Sequence, residues 1–218
     1  GNVSLRASYT LQFAKGTGSD RSTALALVQA GQPNLRTINP LDFDRPHAFT
    51  FNLDYRFSEG DNYDGPKLFG ADILANAGMN VILNTGSGTP FSMREIGSRT
   101  LMGQINSARM PWRTTVNMRV DKDIKFKVGS GEDESKRDIV LNVYADISNL
   151  FDAMNVLHVY ETTGNADDNG YLTYAGNQNE IESQNDPQAY RNYYRLYMNN
   201  PRNYSMPRRI NVGVMLSF

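Results

Sequence analysis

The chain closes on the stretch Pro207-Arg208-Arg209-Ile210-Asn211-Val212-Gly213-Val214-Met215-Leu216-Ser217-Phe218. From Ile210 onwards every even position is apolar, and three of the four odd positions between them hold Asn, Gly or Ser. A period of two places apolar side chains on one face of an extended strand and small or polar ones on the other. The stretch therefore predicts a β-strand with one apolar face, ending on an aromatic residue.

Five earlier stretches repeat this alternation. Their apolar-face residues are Val3, Leu5, Ala7, Tyr9, Leu11 and Phe13; Phe49, Phe51, Leu53, Tyr55 and Phe57; Ile73, Ala75, Ala77, Met79, Val81 and Leu83; Trp112, Thr114, Val116, Met118 and Val120; and Ile139, Leu141, Val143, Ala145 and Ile147. The stretches reach about twelve residues, whereas strands of soluble sheets average roughly 5–6. A strand tilted across a bilayer needs about 9–11 residues. The lengths therefore favour membrane-spanning strands.

The connections between these stretches alternate in length. The alternation places them at 15–44, 58–71, 85–111, 124–136 and 161–206, which is long, short, long, short, long. Outer-membrane barrels have short periplasmic turns and longer extracellular loops. We therefore predict that the last strand runs toward the periplasm.

Composition excludes several function classes. The formal net charge is −1 and no long basic run occurs, which argues against a nucleic-acid partner. Without cysteine, no disulfide or thiolate metal site can form. No run of 18 apolar residues occurs, so the sequence predicts no transmembrane helix. His47 and His158 are the only histidines, and no catalytic pattern surrounds them, so we predict neither an enzyme nor a cofactor.

Local signals refine the picture. We interpret Asp121-Lys122-Asp123 as a change of phase in the fourth stretch and predict a β-bulge there. Asp20 is a suitable N-cap for a helix from Arg21 to Ala30. Asp186 with Pro187 predicts a second helix, from Pro187 to Met198.

The second predicted helix carries Tyr190, Tyr193, Tyr194 and Tyr197 at positions i, i+3, i+4 and i+7. Tyrosines among many asparagines suit recognition of a polar ligand. The same spacing would also pack the helix onto the rest of the molecule. Both interpretations stay open, and the four tyrosines are the candidate ligand contacts.

A second polar stretch, Asn165-Ala166-Asp167-Asp168-Asn169-Gly170, matches the first half of a calcium loop. Position 12 of that loop would be Gly176 instead of a bidentate Glu. A polar turn and a calcium site remain alternatives here.

Charged and polar residues face away from the predicted apolar faces. They are Arg6, Asp54, Arg56, Arg113, Asn117, Arg119 and Asp121. Burying such side chains in a dry core is costly, so they predict a water-filled lumen or a polar object inside it.

Several motifs together resemble the C-terminal part of the barrel of a TonB-dependent outer-membrane receptor. They are Asn149-Leu150-Phe151-Asp152, similar to the family's NLFD element; Gly86-Ser87-Gly88-Thr89-Pro90-Phe91-Ser92; and Pro207-Arg208-Arg209 with the closing strand. The segment from Leu41 to His47 and the helix of the final loop resemble the Oar-like subgroup.

The resemblance implies a ligand transporter in the outer membrane of a Gram-negative bacterium. Residues 1–218 would form about six strands of an all-β, antiparallel transmembrane barrel of about 22 strands, with short helices in its extracellular loops. A plug domain and a TonB box would lie upstream. The implied partners are outer-membrane lipid, the rest of the barrel, the plug and TonB, with surface lipoproteins as a further candidate. Phe218 resembles the terminal aromatic residue of the barrel-assembly signal.

Two other functions are compatible with the alternation. One is a passive or structural outer-membrane barrel, such as a porin or an adhesin. The other is a soluble β-sandwich that binds carbohydrate through its Tyr- and Asn-rich loop.

Overall fold

A single antiparallel sheet of six strands organises the computed structural model, which describes residues 2–20, 22, 37–98, 100–128 and 137–218. The strands are β1 (Asn2–Leu11), β2 (His47–Arg56), β3 (Ala77–Gly86), β4 (Arg113–Val128), β5 (Arg137–Ser148) and β6 (Arg209–Ser217). Each strand pairs with the next one along the chain. Within the described ranges, β1 and β6 each keep one edge without a strand partner.

All six stretches predicted as strands contain one, but the third begins later than predicted. Ile73 to Asn76 form a turn, in which the Ala77 N–H donates to the Leu74 carbonyl. Asn76 has a φ of 57°, which ends any extended backbone before Ala77. The connection before β3 therefore spans 57–76 instead of 58–71, and the final connection spans 149–208 instead of 161–206. The fourth connection was predicted at 124–136, but residues 124–128 belong to β4, and 129–136 lie outside the described residues.

The predicted β-bulge at Asp121-Lys122-Asp123 is wrong. Arg113 to Lys122 pair with β3, and Met118 to Val128 pair with β5, without an extra residue on either side. Lys122 keeps the phase of its strand and occupies an apolar-face position. Its Nζ donates to the Ile73 and Ala75 carbonyls at the adjacent turn, so its stem lies on the apolar face while its charge reaches the rim. The lysine at an apolar-face position is therefore explained without a bulge.

The register aligns the alternating residues into two faces. One apolar row crosses all six strands as Leu5, Leu53, Val81, Met118, Ile147 and Ile210. The next row on the opposite side is Ser4, Asp54, Asn80, Arg119, Asp146 and Asn211. We refer to these sides as the apolar face and the polar face.

Side chains of the polar face bond to each other across the strands. Arg56 Nη2 lies 2.8 Å from Asp121 Oδ2, and Arg119 Nη1 lies 3.1 Å from Asp146 Oδ1. The Arg119 guanidinium also lies 4.2 Å above the ring of Tyr144. These lateral bonds satisfy the charged groups while leaving them within reach of water, so the polar face needs no covering layer.

Aromatic rings cluster at both ends of the apolar face. At one end, Tyr9 stacks on Phe49 at 4.5 Å, and His47 stacks on Trp112 at 5.9 Å. At the other end, the rings of Tyr55 and Phe57 meet edge to face at 4.8 Å, and Tyr63 lies 6.2 Å from Phe57. The side chains between the two clusters are aliphatic, methionine or phenylalanine.

Two α-helices lie in the final connection, α1 (Gln178–Glu182) and α2 (Pro187–Met198). The second is the predicted one, and Asp186 caps it by accepting a hydrogen bond from the Ala189 N–H at 2.9 Å. The predicted helix from Arg21 to Ala30 lies outside the described residues except for Ser22, whose N–H donates to Asp20 Oδ1. In the part of the chain that is described, no helix is long and apolar enough to cross a membrane.

The fold is therefore all-β and antiparallel, as predicted. Besides the main sheet, the described residues contain three two-stranded ladders of two residues per strand and three short 3-10 turns. None of these ladders covers a face of the main sheet in the way that the second layer of a β-sandwich does.

Candidate functional site

Three connections gather at one end of the sheet, here named the loop end. They span 12–46, 87–112 and 149–208, whereas the strand ends that flank 57–76 and 129–136 lie at the opposite end, named the turn end. This division follows from the antiparallel meander, because successive connections must alternate between the two ends. The long connections lie at the loop end, so a binding site is expected there.

Buried Asp44 joins the first of these connections to the second. Its side chain is 2% exposed, it forms a salt bridge with Arg109, and it accepts a hydrogen bond from the Ala14 N–H at 2.6 Å. Arg109 also donates to the Asp44 and Gly88 carbonyls. Burial raises the pKa of Asp44, but the hydrogen bonds from Arg109 and Ala14 outweigh it, so the pKa lies below its ordinary value.

Asn106 makes the second junction between the same connections. It adopts a φ of 56° and is buried, and its Nδ2 donates to the Pro40 carbonyl at 2.8 Å and to Asp42 Oδ1 at 2.7 Å. Its own N–H donates to Ser92 Oγ at 3.0 Å. A cavity of about 370 Å³ lies beside this junction and is also lined by Gly16 to Ser19 and Glu161.

The stretch that resembles the NLFD element has a structural task in the final connection. Asn149 has a φ of 55° and bonds through Nδ2 to the Met206 carbonyl at 3.0 Å, which joins the beginning of the connection to its end. The Asn155 side chain bonds to the β4 backbone as a neighbouring strand would: it accepts a hydrogen bond from the Thr114 N–H at 2.7 Å and donates one to the Thr114 carbonyl at 2.8 Å. The final connection is thereby fixed to β4 beyond the end of β5.

The four candidate tyrosines of α2 divide into two pairs. Tyr190 and Tyr194 pack inward: Tyr194 stacks on Tyr171 at 4.7 Å and its hydroxyl accepts from Asn169 Nδ2 at 2.8 Å. Burial raises the pKa of Tyr194. Tyr193 and Tyr197 are 70% and 69% exposed and flank exposed Leu196. Packing thus accounts for one pair, and Tyr193 and Tyr197 remain available as ligand contacts.

The stretch that resembles half of a calcium loop folds as a series of polar turns. Asn165 Oδ1 accepts from the Asp167 N–H and Asn169 Oδ1 from the Tyr171 N–H, both at 3.0 Å. Asp167 accepts from the Tyr204 hydroxyl, a hydrogen bond that raises the pKa of Tyr204 to about 12. Within the described ranges, no three His, Asp or Glu side chains come together as a metal site.

A pair of arginines lies on the polar face at the loop end. Arg45 and Arg113 line a cavity of about 290 Å³ together with Thr50, Asn84 and Thr115. The sequence places both arginines in notable stretches, one in the segment from Leu41 to His47 and one in the polar ladder, but only the strand register brings them together. Arg45 precedes β2 and Arg113 begins β4, so their meeting was not predictable from spacing along the chain.

Phe218 follows β6 at the turn end, and its side chain is almost fully exposed. Comparisons with models of protein families, with curated proteins and with solved structures returned no match.

Proposed function

We propose that residues 1–218 form part of the wall, lumen lining and extracellular loops of a TonB-dependent transporter that takes up a ligand across the outer membrane. The observation that carries the proposal is the exposed apolar face, which lies back to back with a polar face that is hydrogen-bonded and charged. Soluble proteins rarely expose a contiguous apolar face, and such a face usually marks contact with a membrane or a partner. Lipid on one side and a wet lumen on the other satisfy both faces.

The aromatic clusters support a membrane of ordinary thickness. Ten residue steps separate His47 from Phe57, which is about 33 Å along β2. At a strand tilt of about 40° this distance corresponds to roughly 25 Å of height, the usual height of the apolar band between the two aromatic girdles of an outer-membrane barrel. Lys122 extends its amine from the apolar face toward the turn end, as a lysine near a membrane rim does.

The free edges of β1 and β6 support a larger barrel. Unpaired strand edges are avoided in soluble proteins and absent from closed barrels, so further strands of the full-length protein would pair with both. In this proposal the loop end faces outward, the turn end faces the periplasm, and the plug domain contacts the polar face. The motifs that resemble the family point to an energised transporter instead of a passive barrel.

Asn211→Arg and Val212→Arg form a matched pair that tests the facing of β6. Val212 is 74% exposed on the apolar face and lies about 20 Å along the strand from Phe218, near the middle of the proposed bilayer, whereas Asn211 lies on the polar face. We expect Val212→Arg to cost about 2–4 kcal/mol in the full-length protein in lipid vesicles, measured by denaturant unfolding. Asn211→Arg should cost far less. Equal tolerance of the two would show that the face is not in lipid.

Localisation and energy coupling are tested separately. Fractionation should place the full-length protein in the outer membrane, and recovery of native protein without detergent would favour the soluble alternative. Photo-crosslinking in cells should join the full-length protein to TonB. An outer-membrane protein that gives no TonB crosslink and carries no plug domain would be the passive barrel.

A further inference from the structure

The cavity between Arg45 and Arg113 has the form of a small recess in the polar face. Gly86 pairs with Ala48 on one side and with Arg113 on the other. In this row Ala48 contributes only a methyl group and Gly86 contributes no side chain. Their small size leaves space between the two arginines. A side chain at Gly86 would also meet the His47 carbonyl at 2.9 Å.

The two arginines of this recess have no acidic partner within the described part of the chain. Among the residues that the structure describes, no carboxylate lies within salt-bridge distance of Arg45 or Arg113. The other arginines of the central polar face differ, since Arg56 is paired with Asp121 and Arg119 with Asp146. Two like charges beside one cavity repel each other unless an anion lies between them.

The guanidinium of Arg113 is held in place but only partly satisfied. Its Nη2 donates to the Leu157 carbonyl at 3.1 Å. Its Nε is shielded from solvent and has no hydrogen-bond partner within the described part of the chain. Buried polar groups of folded proteins are almost always hydrogen-bonded, so this N–H is available to a ligand. Water would satisfy the N–H but would leave both charges uncompensated.

We propose that this recess binds an oxyanion, a carboxylate or phosphate group of the transported ligand. Guanidinium groups bind both with paired, charge-assisted hydrogen bonds, and the polar residues Thr50 and Thr115 lie in the same lining. A volume of about 290 Å³ holds one charged group and a few further atoms.

Room for the rest of such a ligand continues along the polar face. Thr115 also lines a neighbouring cavity of about 450 Å³, together with Asn117, Met206 and Pro207. The recess would therefore anchor one anionic end of a ligand whose less polar part lies beneath the final connection. This inference rests on the proposed function, because it assumes that the ligand passes along the polar face.

Binding of inorganic phosphate to the full-length protein in neutral detergent tests the site. Equilibrium dialysis with radiolabelled phosphate at low salt should show saturable binding that acetate displaces. Arg45→Gln and Arg113→Gln should each weaken binding about tenfold, as expected for the loss of charge-assisted hydrogen bonds. Arg195→Gln, an exposed arginine of α2, is the matched control for the loss of one charge and should bind as the wild type does. Wild-type affinity in both recess variants would overturn the proposal.

Two further comparisons distinguish a loss of phosphate binding from a loss of folding, and the anion site from the membrane proposal. Each variant is checked by the change of its gel migration on heating, which reports a folded barrel. If Arg113→Gln does not fold, Arg45→Gln decides, because Arg45 is exposed and precedes β2. If the protein is found in the outer membrane and both variants bind phosphate as tightly as the wild type, the anion site alone is refuted. A soluble protein whose binding depends on them would refute the membrane proposal alone.

Discussion

Single glycine residues decide how far charged side chains reach on the polar face. Arg56 and Asp121 lie on β2 and β4, and Gly78 of β3 lies between them in register. A Cβ at Gly78 would lie 2.7 Å from Arg56 Nη2 and 3.1 Å from Asp121 Oδ1. The ion pair therefore crosses a whole strand only because this position has no side chain.

Gly78→Val should break that ion pair. We expect it to lower the free energy of unfolding by about 1.5–3 kcal/mol, the usual range for hydrogen bonds to charged groups, as measured by denaturant unfolding of the full-length protein. In an Asp121→Ala background the same substitution should cost clearly less, because the pair is already absent. Additive costs in this double-mutant cycle would mean that Gly78 acts by another route.

Asp44 should make the packing of the loop end depend on pH. Its pKa in the folded chain lies below the ordinary 3.8, so the folded state binds fewer protons than the unfolded state as the pH falls. The stabilisation is complete above about pH 4 and is lost as the pH falls through the folded-state pKa. Asp44→Asn should therefore cost about 1–3 kcal/mol at pH 7 and much less in acid, measured by unfolding at each pH.

The control for this prediction removes one carboxylate elsewhere. Asp61→Asn changes an exposed residue of the 57–76 connection. If it reproduces the pH dependence of Asp44→Asn, the effect belongs to net charge and not to the contact with Arg109.

At the scale of elements, the strands and α2 were predictable because each carries its own local signal. Alternation marks every strand, and Asp186 with Pro187 marks the beginning of α2. The errors arose where a single residue overrides the pattern. Because Asn76 has a positive φ, β3 begins later than the alternation suggested. Lys122 interrupts the apolar pattern, but it occupies the apolar face by extending its amine to the rim.

The candidate site was less predictable than the strands. Tyr190 and Tyr193 have the same local signal, but only the first packs inward, because the contact with Tyr171 depends on how the connection folds back. The recess of Arg45 and Arg113 likewise depends on register across three strands. Side chains from distant parts of the chain meet in ways that no short window of sequence encodes.

Tyr193→Ala and Tyr194→Ala separate the two tasks of α2. Tyr194 is half-buried against Tyr171, so its loss should destabilise the docking of the helix by about 1–2 kcal/mol, less than the 3–5 kcal/mol of a fully buried aromatic residue. Hydrogen exchange of the α2 amides should speed up accordingly. Tyr193→Ala should leave the exchange unchanged, because its ring is exposed. Similar exchange in both variants would show that the stacking does not hold the helix.

At the scale of the whole molecule, the sheet has no layer packed on either face and two open edges in the described part of the chain. Residues 1–218 produced alone should therefore associate through their edges when refolded in detergent. Size-exclusion chromatography should give large or mixed species, whereas the full-length protein should elute as a single one. A monodisperse, protease-resistant monomer of residues 1–218 would contradict the larger barrel.

Glycine positions in the sheet also bear on how the strands find their partners during assembly. A shift of one residue would exchange the two faces, but a shift of two keeps apolar residues on the apolar side, so alternation alone cannot reject it. Such a shift would bring Asn76 or Asn80 opposite Arg56 in place of Gly78, and Asn211 or Met215 opposite Tyr144 in place of Gly213, where a Cβ would lie 2.5 Å from the Tyr144 ring. Gly78 leaves room for Arg56, and Gly213 leaves room for Tyr144, only when the strands are in the observed register. The two glycines therefore disfavour a register shifted by two residues.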